Sequence, residues 1–330
     1  MEKFLALVVK NTDEDVVSTI ESVTLNDLSA GEVLIKVSYS SVNFKDSLAV
    51  SKNGGVIRDY PMVPGIDLSG VVVESEDSRY HKGQKVLVTG YGLGVSHTGG
   101  FSEFAQVPGD WIVPLPENMT LKEAMIIGTA GLTAALSIIA LEKQGLALNK
   151  EASILVTGAS GGVGSLAIAM LKQLGYQNIT ALSRKKSASQ QLINLGAQKV
   201  ILLEDFMPEK IRPLGKQLFD YAIDATGGNI TAALLPQMNY EGSIALSGNA
   251  AGINLSTTVL PFILRGVKLI GIDSVSVPLD KRIAIWQRLA NDLKITNQAI
   301  INETKLVSLP KVFQALQEGT HIGRTIVKIS

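Results

Sequence analysis

The 330-residue chain contains no cysteine, and that absence excludes disulfide bonds, thiolate nucleophiles and every sulfur-ligated metal site. Histidine is nearly as scarce. His81, His97 and His321 lie far apart and none sits in an HExxH setting, so no metal centre is expected. Net charge is missing as well: 30 basic side chains are cancelled by 30 acidic ones, and there is no basic block or finger-type spacing. A chain whose work is neutralising nucleic-acid phosphates would carry an excess of positive charge, so no nucleic-acid partner is expected. Strand-like sequence begins at once with Phe4-Leu5-Ala6-Leu7-Val8-Val9, leaving no basic, apolar, small-residue export leader. No apolar run reads as long and uninterrupted enough to cross a bilayer. The expectation from these absences is a cytoplasmic protein acting on a small molecule, without a membrane partner.

What is present is the composition of a folded protein, 46% apolar and 18% charged, in a chain longer than one core usually supports. Two textures follow one another. In the first third, short strand candidates are punctuated by glycine and proline. Val33, Ile35, Val37 and Tyr39 share one face at period two, and residues 70–73, Lys85–Thr89 and residues 101–107 repeat the theme. From about residue 121, apolar strands alternate with helical patterns: Ile154–Val156, a helix carrying Val163, Leu166, Ala167, Met170, Leu171 and Leu174, then Ile179–Ser183, a helix over residues 187–195, and a strand at residues 199–203. The strand Phe219–Asp224, a helix over residues 230–238, and strands at residues 242–247 and 268–273 continue the alternation, which predicts a parallel sheet covered by helices. An amphipathic helix through Leu279, Ile283, Trp286, Ala290 and Leu293 follows. A last helix with Leu309, Val312, Phe313 and Leu316, and a strand at residues 324–329, make a tail too small to stand alone. The expected organisation is a β-rich first segment over residues 1–120, an α/β domain over 121–295, and a return segment over 296–330 that packs on the first.

The most specific local signal is Ile154-Leu155-Val156-Thr157-Gly158-Ala159-Ser160-Gly161-Gly162-Val163-Gly164. A glycine turn between a buried strand and a helix lets main-chain N–H groups approach a diphosphate at the helix N-terminus. Against GxGxxG the first glycine is replaced by Ala159, with Gly158 one place early, but the strand before and the helix after supply the context the motif needs. The other reading is a glycine turn required only for tight helix–sheet packing. Cofactor preference should be written at the end of the next strand, where an acid about twenty residues on would hold a ribose 2′-OH. This chain has Ser183-Arg184-Lys185-Lys186 there, and cations suit a 2′-phosphate, so NADP(H) is expected; the alternative is a solvated basic helix start. Thr226 and Gly227, then Ser247, Gly248 and Asn249, follow later strands, and Thr133 follows Gly128-Thr129-Ala130-Gly131-Leu132. All are placed at the carboxyl edge of the sheet, with ordinary turn chemistry as the alternative.

Together with that run, Ser41-Val42-Asn43-Phe44-Lys45-Asp46, Pro61-Met62-Val63-Pro64-Gly65-Ile66-Asp67-Leu68-Ser69-Gly70, Gly99-Gly100-Phe101-Ser102-Glu103, Leu260-Pro261-Phe262-Ile263-Leu264-Arg265-Gly266 and Gly323-Arg324-Thr325 span the chain. In these stretches it resembles the zinc-free quinone oxidoreductase group of the medium-chain dehydrogenase/reductase superfamily, and most closely its acryloyl-CoA reductase branch. The resemblance implies a GroES-like, β-barrel-type catalytic domain into which a doubly wound Rossmann domain is inserted. It also implies a homodimer with residues 269–273 at the dimer edge. Many of the relatives have tyrosine where this chain has Phe44, so a phenol proton donor is not available at that position.

The implied chemistry is hydride transfer from NADPH to the β-carbon of a short enoyl thioester such as acryloyl-CoA, with the NADPH-dependent reduction of a quinone as the alternative and a non-catalytic NADPH-binding protein as the third reading. Asn43 is a candidate to orient substrate or nicotinamide and Lys45 to offer positive potential to a developing oxyanion, with structural support of the loop as the alternative for both; Asp46 is a candidate to hold Lys45 or to carry a hydrogen bond within the domain, and Tyr91 to face the acceptor or to lie in the core. Asp67 reads as a structural carboxylate after the Pro-Gly turn, with a catalytic role as the alternative. Arg265 and Arg324 are candidates for cofactor or CoA phosphates, with a surface ion pair as the alternative for each.

Overall fold

The computed structural model describes residues 3–12, 15–295 and 299–329. The first part of the chain forms strands β1 (Phe4–Asn11), β2 (Val16–Val23), β3 (Val33–Val42), β4 (Asp67–Ser75), β5 (Lys85–Thr89), β6 (Phe104–Val107) and β7 (Ile112–Pro114), with helix α1 (Phe44–Ala49) after β3. The middle alternates: α2 (Leu121–Glu142), β8 (Ile154–Val156), α3 (Gly162–Gln173), β9 (Ile179–Ser183), α4 (Ser189–Leu195), β10 (Lys199–Leu202), α5 (Leu203–Phe206), β11 (Phe219–Asp224), α6 (Gly228–Leu234), β12 (Met238–Leu246), α7 (Leu260–Arg265) and β13 (Lys268–Gly271). The end carries α8 (Leu279–Ala290), β14 (Ile301–Lys305), α9 (Leu309–Gln317) and β15 (Arg324–Lys328). These elements gather into two compact units, one from Met1–Thr129, Val275–Asn291 and Ile301–Ser330, the other from Ala130–Ser274 and Asp292–Ile300.

In the first unit, β1 and β2 pair antiparallel, and a seven-stranded sheet runs in the order β14-β15-β3-β4-β5-β7 with β6 also on β3. The period-two pattern of β3 holds from Val33 to Val37 and breaks before the half-buried Tyr39, where the register against β4 shifts. Val33, Ile35 and Val37 are fully buried and pack with Leu68, Val86, Val88 and Ile112. The tail docks as its size demanded, because β15 pairs antiparallel with β3 and α9 buries Leu309 and Phe313 beside Leu7, Val42, Phe101 and Val327. The GroES-like sheet is present, and among the described residues no ladder joins its end strands β14 and β7. The three-residue β7 ends at Pro114, which has no N–H with which to extend a ladder.

Helix α8 requires a correction. Its apolar periodicity grouped it with the parallel sheet, yet it belongs to the β-rich unit. Trp286 and Arg282 are fully buried, and the Arg282 guanidinium donates to the Thr89 carbonyl (2.7 Å), Thr89 Oγ1 (2.8 Å) and the Val275 carbonyl (2.9 Å). Periodicity shows that a helix has an apolar face, not which sheet will cover it.

The second unit is a six-stranded, wholly parallel sheet in the order β10-β9-β8-β11-β12-β13. The central strands β8 and β9 are buried along their whole length, which explains the unbroken apolar runs such as Ile154-Leu155-Val156. The chain lays β9 and β10 to one side of β8, then returns to place β11 on the other, so the winding reverses between β8 and β11. Ligand crevices of such sheets lie at the carboxyl ends of the strands flanking that reversal. The helix expected over residues 230–238 stops at Leu234, followed by a 3-10 turn containing Pro236, and Met238 opens β12 instead.

Helix α2 is long and apolar enough to cross a membrane by length and composition, contrary to the sequence expectation. It serves as a core element: 78% of its apolar window is buried, and its backbone breaks at Gly128 (φ 51°, ψ −158°).

The docking of the tail rests on the Phe101–Phe313 pair, whose ring centroids lie 6.0 Å apart. Phe313→Ala is expected to destabilise the first unit by about 3–5 kcal/mol, the range for emptying a buried aromatic site. Urea unfolding followed by tryptophan fluorescence measures this, and a loss below about 1 kcal/mol would mean that α9 is not held through its core face.

Candidate functional site

Each unit carries one candidate station. In the second, the turn after β8 has Gly158 in the left-handed region (φ 57°), and a Cβ there would stand 3.0 Å from Thr226 Cγ2. Gly161 donates its N–H to the Gly158 carbonyl (2.9 Å) and caps α3. Gly162, Val163 and Gly164 form the first helical turn, and a Cβ on Gly164 would lie 2.5 Å from the Gly158 carbonyl oxygen. The glycines therefore do two things at once. They let α3 start hard against the turn, and they leave its first N–H groups without side-chain cover, the geometry that suits an anion.

Beside this turn, Ser160 and Ser183 are buried and Ser183 Oγ donates to Ser160 Oγ (3.2 Å), while the Lys185 N–H donates to Ser183 Oγ (3.0 Å). Arg184 is exposed and Lys185 half-buried. Burial first, and the Arg184 charge second, hold the Lys185 ammonium below its ordinary range, so an anion placed against the pair would relieve both strains. At the neighbouring strand ends, Gly227 (φ 70°) and Gly248 touch: a Cβ on Gly227 would lie 2.5 Å from the Gly248 carbonyl, and one on Gly248 would lie 2.1 Å from that of Ala225. Thr226 and Ser247 border this contact, Asn249 is exposed beyond it, and Thr133 is buried on α2 with its hydroxyl donating to Ser274 Oγ (2.8 Å).

The first unit brings Asn43, Asp46 and Arg324 together around Asp67, whose structural reading was preferred to a catalytic one. Asp67 is fully buried and accepts from Ser41 Oγ (2.5 Å), Asn43 Nδ2 (2.8 Å), the Thr129 N–H (3.0 Å) and Thr129 Oγ1 (2.6 Å). Arg324, 2% exposed, lies 3.9 Å from it and donates to Asn43 Oδ1 (3.2 Å), Ser41 Oγ (2.8 Å) and the carbonyls of Val42 (3.0 Å) and Ile126 (3.1 Å). The expectation of a phosphate contact for Arg324 is corrected by this burial, because its donors are committed to internal acceptors. Arg265 is likewise an internal strut, bonded to the carbonyls of Pro236 (2.7 Å) and Gly215 (2.7 Å). The Asn43 amide is gripped at both ends, which fixes its orientation.

Asp46 is bonded within the same unit. Of its two expected roles, holding Lys45 or bonding within the domain, the second is the one found: it caps α1, accepting from the Asn43 N–H (2.7 Å) and the Ile66 N–H (3.1 Å). Lys45 is half-buried and Phe44 is 42% exposed on the same turn. Tyr91 adopts a left-handed backbone (φ 52°), stacks on Trp111 (5.6 Å, 8°) beneath the Arg282 guanidinium (4.3 Å) and donates its hydroxyl to the Val277 carbonyl (2.9 Å). Its phenol is thus occupied within the unit.

Two family models match, the alcohol dehydrogenase GroES-like domain over residues 29–117 and the zinc-binding dehydrogenase over residues 162–291. The chain is 45% identical to the putative quinone oxidoreductase YhfP of Bacillus subtilis, over 99% of both chains. It is 44% identical to the probable acrylyl-CoA reductase AcuI of Escherichia coli, over 98% of this chain and 99% of that one. Among solved structures, the yhdH oxidoreductase of Salmonella enterica in complex with NADP matches at 45% identity and a TM-score of 0.94, covering 99% of this chain and 100% of that one. The chain belongs to the zinc-free quinone and enoyl-CoA oxidoreductase branch of the medium-chain dehydrogenase/reductase superfamily. Although one matching family is described as zinc-binding, this member has no cysteine, and among the described residues no three histidine, aspartate or glutamate side chains gather as a metal set.

Within this family frame the Asp46 carboxyl is measurable. Burial pushes it up to about 7 from 3.8; the Asn43 N–H opposes the shift and the Asp67 charge adds to it. A carboxyl whose folded value is raised binds its proton more tightly when folded, so its contribution to stability is complete below about pH 4 and is lost as the pH climbs through about 7. The difference in melting temperature between wild type and Asp46→Asn should therefore shrink across that window. A difference that stays constant from pH 4 to 8 would show that the carboxyl does not titrate there.

Proposed function

We propose that the chain is an NADPH-dependent reductase that delivers a hydride to a carbon conjugated with a carbonyl, in a quinone or a short enoyl thioester such as acryloyl-CoA. The observation that carries this reading is the glycine turn between β8 and α3, closed to any side chain at Gly158 and Gly164, in a chain 45% identical along nearly its whole length to a relative solved with NADP. The residues fit the cofactor: a turn that a Cβ would fill, a free helix N-terminus and adjacent cations answer a diphosphate and a 2′-phosphate. When bound, NADPH supplies the hydride.

The chain's own residues have simpler tasks. Gly161, Gly162 and Val163 offer main-chain donors to the diphosphate, and Thr226, Gly227, Ser247, Gly248, Asn249 and Thr133 border the crevice. Ser183, Arg184 and Lys185 hold the 2′-phosphate. Asn43, oriented by Asp67 and Arg324, and Lys45 are the groups that meet the acceptor; Lys45 brings positive potential to its carbonyl oxygen as negative charge develops there. Tyr91 presents ring surface rather than a proton, and water supplies the proton to the enolate.

The two acceptor classes share one electrophile. The Bacillus relative's name supports the quinone and the E. coli relative's name the enoyl thioester. Steady-state rates with NADPH and either acryloyl-CoA or a simple benzoquinone assign the acceptor by a tenfold or greater advantage in kcat/KM. Tight NADPH binding with no oxidation by either class would remove the enzyme reading and leave a nucleotide-binding protein.

The Bacillus relative has been solved with NAD, so the reduced-cofactor preference of this chain needs its own test. Changing Arg184 and Lys185 together to glutamine should raise the KM for NADPH about tenfold or more, the loss of one charge-assisted contact of roughly 1.5–3 kcal/mol, while the KM for NADH moves less than about twofold. Equal changes for both cofactors would place the 2′-phosphate elsewhere.

A further inference from the structure

Asp224 is the last residue of β11, beside the end of β8, at the point where the winding of the parallel sheet reverses. It is fully buried, and its two oxygens receive five donors. Oδ1 accepts from Thr157 Oγ1 (2.6 Å), the Thr226 N–H (2.8 Å), Thr226 Oγ1 (2.8 Å) and the Gly227 N–H (3.1 Å), and Oδ2 accepts from Thr231 Oγ1 (2.5 Å). Thr157 Oγ1 in turn accepts from the Ala225 N–H (3.1 Å).

A carboxylate here is chemically expensive. It takes a charge out of water, and it does so close to a turn that is to receive a diphosphate of the same sign. An apolar residue would fill the volume without that penalty, and an amide would fill it without the charge. What only a carboxylate offers is acceptor capacity on both oxygens, so that the ends of two strands and the turn after one of them can be gripped together. The donors divide into two groups. Thr157 directly precedes Gly158, and Thr226 Cγ2 lies against the empty Cβ position of Gly158, so these two carry the grip into the cradle. Thr231 lies on α6 and anchors the carboxylate from the other side.

We propose that Asp224 is a positioning residue for nucleotide binding, acting through Thr157 and Thr226 to fix the spacing of the β8 and β11 ends and hence the set of the Gly158 turn. The inference rests on the cofactor reading above, but its readout is binding of the nucleotide and not turnover of an acceptor. It makes the Thr157 and Thr231 bonds to one carboxylate unequal in consequence although they are alike in chemistry.

The test uses the full chain, with NADPH affinity from fluorescence titration and melting temperature measured on the same samples. Thr157→Val and Asp224→Asn are expected to weaken NADPH binding at least tenfold, and Thr157→Ser, which restores the hydroxyl, to return it to within about twofold of wild type. Thr231→Val removes the same kind of bond to the same carboxylate on the far side; it should lower the melting temperature while leaving the affinity within about twofold. If Thr231→Val weakened binding as much as Thr157→Val, or if Thr157→Val left binding unchanged, Asp224 would be general scaffold and the inference would fail. Should Asp224→Asn not fold, the isosteric threonine variants carry the comparison alone. Wild-type protein that bound neither NADPH nor NADH would overturn the cofactor reading, and this inference with it.

Discussion

The close approach of α3 to the turn leaving β8 is the constraint from which the second unit is built. With Gly164 so near the Gly158 carbonyl that a methyl group cannot fit, the helix must begin where the strand ends. Its N–H groups then point out of the carboxyl edge of the sheet, since the helix runs back against the strand direction. The order of the sheet gives that edge its use. The winding reverses between β8 and β11, and it is beside such a reversal that parallel sheets of this kind bind ligands. The further glycine contacts, Gly227 against Gly248 and Gly248 against Ala225, repeat the same device along the rim, where main chain meets main chain with nothing between.

A chain without cysteine must fasten its functional edges by other means, and this one uses buried carboxylates saturated with donors. Asp67 gathers Ser41, Asn43 and Thr129, with Arg324 close by; Asp224 gathers Thr157, Thr226, Gly227 and Thr231. In both cases the acceptor is short and the donors are hydroxyls and main-chain N–H groups from several elements. Such a node stabilises only if every member is satisfied, since a carboxylate left with an empty oxygen in the interior would destabilise it. Each donor thus contributes to stability, while only those that reach the functional turn also set its position. The Asp67 node also explains the left-handed backbone of Gly128, where a Cβ would run into Asp67, Ser41 and Arg324 at once.

The sequence made the periodic parts legible. The strands Lys85–Thr89, Ile154–Val156, Ile179–Ser183 and Phe219–Asp224 stand at the residues their patterns marked, and the glycine turn lies between strand and helix as its context required. Short elements were not legible. Helix α1 is set by the reciprocal bonds of Asn43 and Asp46 rather than by an apolar face, and β14 is a partly exposed strand with no alternation to mark it. The nodes were least legible of all. Arg324 bonds to Asn43 across 281 residues, and a short-range pattern cannot tell a buried arginine that braces carbonyls from an exposed one that waits for phosphate. One signal was available: Asp67 and Asp224 both sit at a strand end among small hydroxyl residues and glycines, where a solvated loop acid has no reason to be.

The composition of these stations limits the chemistry as well as the fold. The Tyr91 phenol is engaged with a carbonyl, Asp46 caps a helix, and position 44 is phenylalanine, so none of these is placed to hand a proton to a reacting carbon. No metal set gathers among the described residues to polarise an isolated carbonyl as a Lewis acid would. In the proposed reading, orientation comes from Asn43 and positive potential from Lys45. Those suffice only for an acceptor whose own conjugation spreads the negative charge that a hydride brings, so that an enolate or a hydroquinone can form first and take its proton from water afterwards. A simple ketone or aldehyde needs stronger electrophilic help at its oxygen, which is why the acceptor is sought among conjugated carbonyls.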